Sequence, residues 1–189
     1  MGNDSDNGAG SYRRFLSGDD DGLAAIVNEY REGLILYLQS LVANLYMAEE
    51  LAEETFFRLM VKKPRFSGKS SFKSWLYAIG RHVAIDHLRR NAKLADTRVE
   101  DMAEYLADET DLERAYIRSE QRIRLHRAME KLIPDYRQVL WLVYFEELSH
   151  EEAGSVMKKN SRQITNLLYR AKQSLRTELE KEGFSDEEF

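Results

Sequence analysis

The chain has 189 residues, with 28 Lys+Arg against 33 Asp+Glu, a net charge of -5 and no cysteine. The acidic balance excludes a protein that coats nucleic acid by bulk charge, so any DNA contact must be local, and the lack of thiols excludes disulfides and thiolate metal sites. No run reaches the length of a membrane span and the opening MGNDSDNGAGS has no apolar signal-peptide segment, which reads as a soluble cytoplasmic protein.

With only 2 Pro and 10 Gly among many Leu, Ala, Glu, Lys and Arg, the chain favours helices and an all-α fold of two small domains. Residues 1–12 are polar and Gly-rich and are expected to form a disordered tail. A first helical domain is expected over residues 13–92. Leu23, Ile26, Val27, Tyr30, Leu34, Leu38 and Leu41 recur at three- and four-residue steps, which puts them on one face of a helix. After a break near Asn44, the segment AEELAEETFFRLM sets Leu51, Thr55 and Leu59 on one stripe with Ala52 and Phe56 beside it. It is expected to end before Pro64, because proline disfavours the helical conformation of the preceding residue. A loop follows through Ser71, and from Phe72 a further helix carries Trp75, Ile79 and Val83 on its apolar stripe.

Over residues 93–115 the periodicity weakens and acids collect, including Asp96, Glu100, Asp101, Glu104, Asp108, Glu109, Asp111 and Glu113. This is an acidic linker, with a short helix expected around residues 102–106. A second helical domain is expected over residues 116–182. It carries Leu125, Met129 and Leu132, then Pro134 at a helix start followed by Val139, Leu140 and Val143. Ser149 with Glu152 three residues on has the spacing of a capping box. A final long helix from about Asn160 places Ile164, Leu168, Ala171, Leu175 and Leu179 on one face, before an acidic tail over residues 183–189.

Residues 66–90, FSGKSSFKSWLYAIGRHVAIDHLRR, concentrate basic, aromatic and small loop residues. Lys69, Lys73, Arg81, Arg89 and Arg90 meet only Asp86 as an acid within this run. Such a mixture suits a single nucleic-acid strand, with cations along the phosphates and aromatic rings or loop pockets taking unstacked bases. Trp75 lies on the apolar stripe and reads as core, whereas Tyr77, Phe66 and the loop over residues 67–71 are better placed to meet bases.

The last two helices read either as a helix-turn-helix or as an ordinary helical hairpin with a solvated polar face. In the first reading Gly154 sits where the helices cross, and Arg162, Gln163, Asn166, Tyr169, Arg170 and Gln173 are presented for a major groove. The acids Glu49, Glu50, Glu53 and Glu54 likewise read either as a solvated face or as a surface that steers docking to a basic partner, with Leu51 and Phe56 as anchors. His82 and His87 are five apart, and His126 and His150 are isolated, so no metal site is expected. No phosphate loop or local nucleophile and base combination points to an enzyme, and no cofactor is expected.

Three segments in this order resemble the extracytoplasmic function (ECF) group of bacterial sigma-70-type initiation factors. AEELAEETFFRLM resembles region 2.2, residues 66–90 with their F-x-G-x-S-S-F-x-x-W-L-Y run resemble regions 2.3 and 2.4, and residues 134–175 resemble region 4. The helix from Leu23 to Leu41 is similar to region 2.1. The resemblance implies a first domain that docks on the clamp helices of RNA polymerase and opens promoter DNA near position -10. It implies a second domain that reads the -35 element near the polymerase flap. Carried over by position, Glu50, Leu51, Glu54, Thr55 and Phe56 would contact polymerase. Phe66, Ser67, Gly68, Lys69, Ser70 and Ser71 would cradle a flipped non-template base, with Tyr77 nearby and His82 at the pocket edge. Arg81, Arg89 and Arg90 would hold phosphates. In the second domain Arg162, Gln163 and Asn166 would face -35 bases, and Tyr169, Arg170 and Lys172 would serve backbone or flanking positions. An anti-sigma factor is the implied regulatory partner, and the acidic linker would lie in a basic channel of the polymerase.

Particular residues depart from the family pattern. His82 stands where Asn is frequent, the run Ser161 to Thr165 differs from the common G-T-V-K, and Lys158 occupies a turn position where Gly is frequent. The competing reading is a stand-alone helix-turn-helix regulator. It has no need of an aromatic and basic pocket for single strands.

Overall fold

The computed structural model describes residues 7–96 and 120–182. The expectations placed on residues 1–6, on most of the acidic linker with its short helix over 102–106, and on the tail 183–189 lie outside the described residues. The elements are α1 (Asn7–Leu16), α2 (Asp21–Val42), α3 (Leu45–Lys62) and α4 (Phe72–Asp96), then α5 (Glu120–Glu130) and α6 (Pro134–Leu140). A π-helical turn (Trp141–Phe145), α7 (His150–Met157) and α8 (Ser161–Lys181) complete the chain.

Helix α1 corrects the reading of residues 1–12 as a disordered tail, since it begins at Asn7. Local composition argued for disorder because glycine costs a helix about 1 kcal/mol relative to alanine. Tertiary contact outweighs it. Tyr12 and Phe15 are 1% and 3% exposed, and the Tyr12 ring lies 5.6 Å from Phe72 and 5.3 Å from Trp75. The Tyr12 hydroxyl donates to the Pro64 carbonyl at 2.7 Å, which ties α1 to the loop after α3. Burial pushes the Tyr12 pKa up to about 12. Gly8 is needed here because a side chain would strike the Phe72 ring and the Tyr30 hydroxyl.

The first helical unit is built on α2, whose Ile26, Leu34 and Leu38 are fully buried against Leu51 and Leu59 of α3 and Phe72 and Leu76 of α4. Each such side chain contributes about 1.5–3 kcal/mol by leaving water. Ala43 turns the chain in the left-handed region, at φ 52°, and Asn44 caps α3 by accepting the Met47 N–H at 2.8 Å. That cap contributes about 1 kcal/mol. The deepest stripe of α4 is rotated from the expected one: Phe72, Leu76 and Val83 are fully buried, while Trp75 and Ile79 are partly buried at its edge. The helix also runs on to Asp96, beyond the expected boundary at residue 92.

The second unit follows the turn chemistry of its sequence. Pro134 opens α6, where its missing N–H costs nothing. Ser149 and Glu152 form the expected capping box at the start of α7, and Asn160 with Gln163 forms another at the start of α8. A Cβ on Gly154 would lie 2.5 Å from the Lys159 carbonyl, so only glycine lets α7 and the turn approach this closely. Lys158 makes the turn at φ 56°. Ile164, Leu168, Ala171 and Leu179 form the buried face of α8.

The two units pack against each other, α4 against α7 and α2 against α6, with their apolar residues in one continuous cluster.

Candidate nucleic-acid interface

The loop between α3 and α4 leaves Lys63, the left-handed C-cap of α3. Phe66 is half-buried and packs 5.1 Å from Trp75 and edge-on to Phe72 at 5.6 Å. It therefore anchors the loop to the aromatic cluster that Tyr12 completes. Ser67, Gly68 and Lys69 stand exposed at the tip, where Gly68 adopts φ 70°. Ser70 is half-buried. Ser71 starts α4: its Oγ accepts the Ser74 N–H at 3.3 Å and its carbonyl accepts the Trp75 N–H at 3.1 Å. A small, partly cationic loop is thus held at both ends, by ring packing at Phe66 and by the start of α4 at Ser71.

Downstream along α4 the basic residues separate into two groups. His82, Arg89 and Arg90 are exposed. His82 lies 3.7 Å from Asp86, and the Arg90 guanidinium donates to the Asp86 carbonyl at 3.3 Å. Lys73, Tyr77 and Arg81 instead point at the second unit. Tyr77 is 1% exposed and donates its hydroxyl to Glu146 Oε2 at 2.9 Å. Burial, and next the Glu146 carboxylate, push the Tyr77 pKa far up, so it is a neutral hydrogen-bond donor. The expectation of a solvent-facing Tyr77 is corrected: the helical face it occupies is covered by a segment distant in sequence. Arg81 is half-buried and donates to Gln138 Oε1 at 3.0 Å.

On α3 the inner and outer faces are distinct. Leu51, Thr55 and Phe56 are 4%, 0% and 8% exposed, and the Thr55 hydroxyl donates back to the Leu51 carbonyl at 2.7 Å. The expectation that these three touch a partner directly is corrected, because they fill the core between α2, α3 and α4. Glu50 is exposed, and the half-buried Glu54 pairs with Arg58 at 2.7 Å. The apolar groups that do reach the surface of α3 are Tyr46, Phe57, Met60 and Val61. No pattern rule selects them, although Phe57 and Val61 share a four-residue spacing off the buried stripe.

In the second unit Arg162, Gln163, Asn166, Tyr169, Arg170 and Lys172 are all exposed on α8, Tyr169 to 67%. The Gln163 side chain is divided between tasks. Its Oε1 accepts the Asn160 N–H at 2.8 Å, which leaves its amide NH2 as a donor. Lys172 lies 5.1 Å over the ring of Tyr144, itself half-exposed. The turn is braced from outside by Lys159 and Asp135 at 3.3 Å and by His150 and Thr165 at 3.0 Å. Among the described residues no group of His, Asp or Glu is placed to hold a metal ion, and no helix is long and apolar enough to cross a membrane.

Sequence reasoning counted Lys73 only as one cation of the basic run and passed over Gln138, Trp141 and Glu146, all of which the fold brings together with Tyr77 and Arg81. The signal for Lys73 was its place in the basic run. Glu146 had none, because its partners are set by tertiary packing.

Two family models match the chain: Sigma-70 region 2 over residues 26–94 and Sigma-70, region 4 over residues 122–175. The ECF RNA polymerase sigma factor SigW of Bacillus subtilis (strain 168) is 29% identical over 175 residues, which is 88% of this chain and 94% of that protein. The probable RNA polymerase sigma-C factor of Mycobacterium bovis is 32% identical over 133 residues, 70% of each chain. Among solved structures, the fold is similar to the sigma factor RpoE in complex with the anti-sigma factor NepR from Bartonella quintana. That likeness has a TM-score of 0.62 at 20% identity and covers 82% of this chain and 94% of that one. CnrH in complex with the cytosolic domain of CnrY matches with a TM-score of 0.61 at 20% identity, over 93% of this chain and 96% of that one.

Proposed function

The chain belongs to the ECF group of the sigma-70 family of RNA polymerase sigma factors, and from that membership we propose how its surfaces divide the work of promoter recognition. As a sigma factor it binds core RNA polymerase and directs it to promoters. The observation that carries the division is the separation of two exposed, cation-bearing surfaces on different helical units, the loop and helix α4 on one and α8 on the other.

The first unit meets the -10 element. The loop over residues 66–71 takes a flipped non-template base, with His82 at its edge; Arg89 and Arg90 hold phosphates of the melted strand, and Arg81 joins them once its bond to Gln138 is released. Cations along a single strand beside a fixed base pocket are the general solution to this recognition problem. The second unit reads the -35 element. Arg162, Gln163 and Asn166 lie on the first turns of a capped helix after a tight turn, the end that enters a major groove, and Tyr169, Arg170 and Lys172 follow toward the backbone.

Polymerase docks on the outer face of α3. Glu50 and Glu54 supply charge that steers association, and Tyr46, Phe57 and Val61 supply the apolar contact, while Leu51, Thr55 and Phe56 hold the helix in place from behind. The partner surface is basic and partly apolar, in keeping with the clamp helices of the largest subunit, and the second unit sits by the flap. An anti-sigma factor that covers these surfaces is the regulatory partner. The support is that a solved relative with this fold, RpoE, is in complex with the anti-sigma factor NepR.

Core polymerase reconstituted with this chain tests the reading on a library of promoter fragments. Initiation from a defined subset is the expected result. No initiation above core enzyme alone, across the whole library, would remove it.

A further inference from the structure

The first turn of α8 carries a side chain that is already half committed inside the protein. Asn160 and Gln163 close a reciprocal ring: the Asn160 Oδ1 accepts the Gln163 N–H at 2.9 Å, and the Gln163 Oε1 accepts the Asn160 N–H at 2.8 Å. A backbone N–H can only donate, so the amide atom that faces Asn160 is the oxygen. Chemistry thereby fixes which way round the Gln163 amide sits. The NH2 group, with its two hydrogens, is what this exposed side chain has left for a partner.

The turn that carries the ring is anchored on several sides. Ile164, next to Gln163, is fully buried, and the Thr165 hydroxyl donates to the Ser161 carbonyl at 3.0 Å while His150 Nδ1 lies 3.0 Å from the same oxygen. Before the ring, the Lys159 N–H donates to the Gly154 carbonyl at 2.9 Å and its ammonium pairs with Asp135 at 3.3 Å. Gln163 is therefore presented from a fixed backbone.

We propose that Gln163 is a donor-only reader of the upstream element, selecting a keto base, guanine or thymine, and rejecting the amino bases adenine and cytosine on the strand it faces. The inference rests on the -35 assignment made above. A glutamine with both amide groups free takes adenine by donating to N7 and accepting from N6. Here the second bond would have to be taken from Asn160, so one hydrogen bond only replaces another. It would also leave an unpaired N–H at the helix start, in a groove where the DNA excludes water. With the ring closed, the amino groups of adenine and cytosine meet the Gln163 NH2 donor to donor, whereas guanine O6 with N7, or thymine O4, accepts from it.

Gln163→Glu is the direct test. Glutamate is a favoured partner in a capping box and its charge suits a helix N-terminus, so the ring should persist with one carboxylate oxygen facing Asn160 and the other, an acceptor, facing DNA. Thermal unfolding checks that the variant is folded. Transcripts that core polymerase makes from randomised promoters should then show one upstream base pair at which selection swaps from keto to amino on the same strand, by about tenfold, within the range of a direct base contact. Gln163→Ala should flatten selection at that base pair. Selection that weakens in Gln163→Glu without swapping would overturn the donor-only reading, since a glutamine reading adenine through both groups keeps its acceptor in that variant. Unchanged upstream selection in Gln163→Glu, with Arg162→Ala still altering that element, would overturn the inference and leave the -35 assignment standing. Unchanged upstream selection in both would overturn the assignment as well.

Discussion

The Tyr77 hydroxyl donates a 2.9 Å hydrogen bond to Glu146, 69 positions further along the chain and in the other helical unit. Both groups are buried, and the carboxylate is shared with Lys73 and Trp141. A hydrogen bond to a charged acceptor contributes about 1.5–3 kcal/mol, and Glu146 keeps its other partners when this one is lost. Tyr77→Phe should therefore lower the stability of the full chain by about 1.5 kcal/mol in denaturant unfolding. A change indistinguishable from zero would show that the contact is not made in solution.

The turn between α7 and α8 makes opposite demands on two neighbouring residues. Gly154 has no room for a Cβ, which would lie 2.5 Å from the Lys159 carbonyl, so Gly154→Ala should destabilise by about 1–3 kcal/mol through overpacking. Lys158 carries a side chain at φ 56°, where left-handed backbone costs an L-residue about 1–2 kcal/mol. Lys158→Gly should raise the melting temperature, with a gain of about 1 kcal/mol once the greater freedom of glycine in the unfolded chain is counted. Thermal unfolding of the pair checks both signs.

Glu54→Lys should weaken binding to core polymerase. It replaces an acid on the outer side of α3 with a cation beside Arg58, its present partner at 2.7 Å, and turns steering attraction into repulsion. The effect should fall mainly on the association rate and shrink as salt rises. Surface plasmon resonance at low and high salt separates this from unfolding, which would change the helical signal as well.

Glu152 links acid to stability. Burial opposes its ionisation, but hydrogen bonds from Ser71 and Ser149 and the charge of Lys73 outweigh that, so its folded pKa lies below the ordinary 4.5. A depressed carboxylate pKa contributes stability that is whole above the unfolded value and is lost as pH falls through the folded one. Unfolding free energy should therefore fall as pH drops below 4.5, and Glu152→Gln should flatten that part of the curve. An equally steep curve in the variant would remove Glu152 from the account.

Local chemistry was legible in the sequence where it is local in space. Ser149 and Glu152 announce a capping box by spacing alone, and the structure contains it. Gly154 and Lys158 likewise read as a tight turn. The apolar stripe of α3 was also legible: Leu51, Thr55 and Phe56 have the periodicity of a core face, and they are buried. Reading Leu51 and Phe56 as anchors beside the acids, and transferring a partner contact to all three by position, went against their own pattern. Two features were not legible. Helix α1 is ordered by packing on α2 and by Tyr12, which meets Phe72, Trp75 and the Pro64 carbonyl far along the chain. Tyr77 lies on α4 at a position any helical wheel would leave half-exposed, and it is buried because another unit lies over it.

The division of promoter recognition between the two surfaces is most directly measured by sequencing transcripts that core polymerase makes with this chain, or with single variants, from randomised promoters. Arg162→Ala should relax selection in the upstream element alone, by about 1–3 kcal/mol at the base it reads, and Lys69→Ala should alter only selection around the melted downstream element. Relaxation of both elements by either variant, or unchanged upstream preference in Arg162→Ala, would contradict the account.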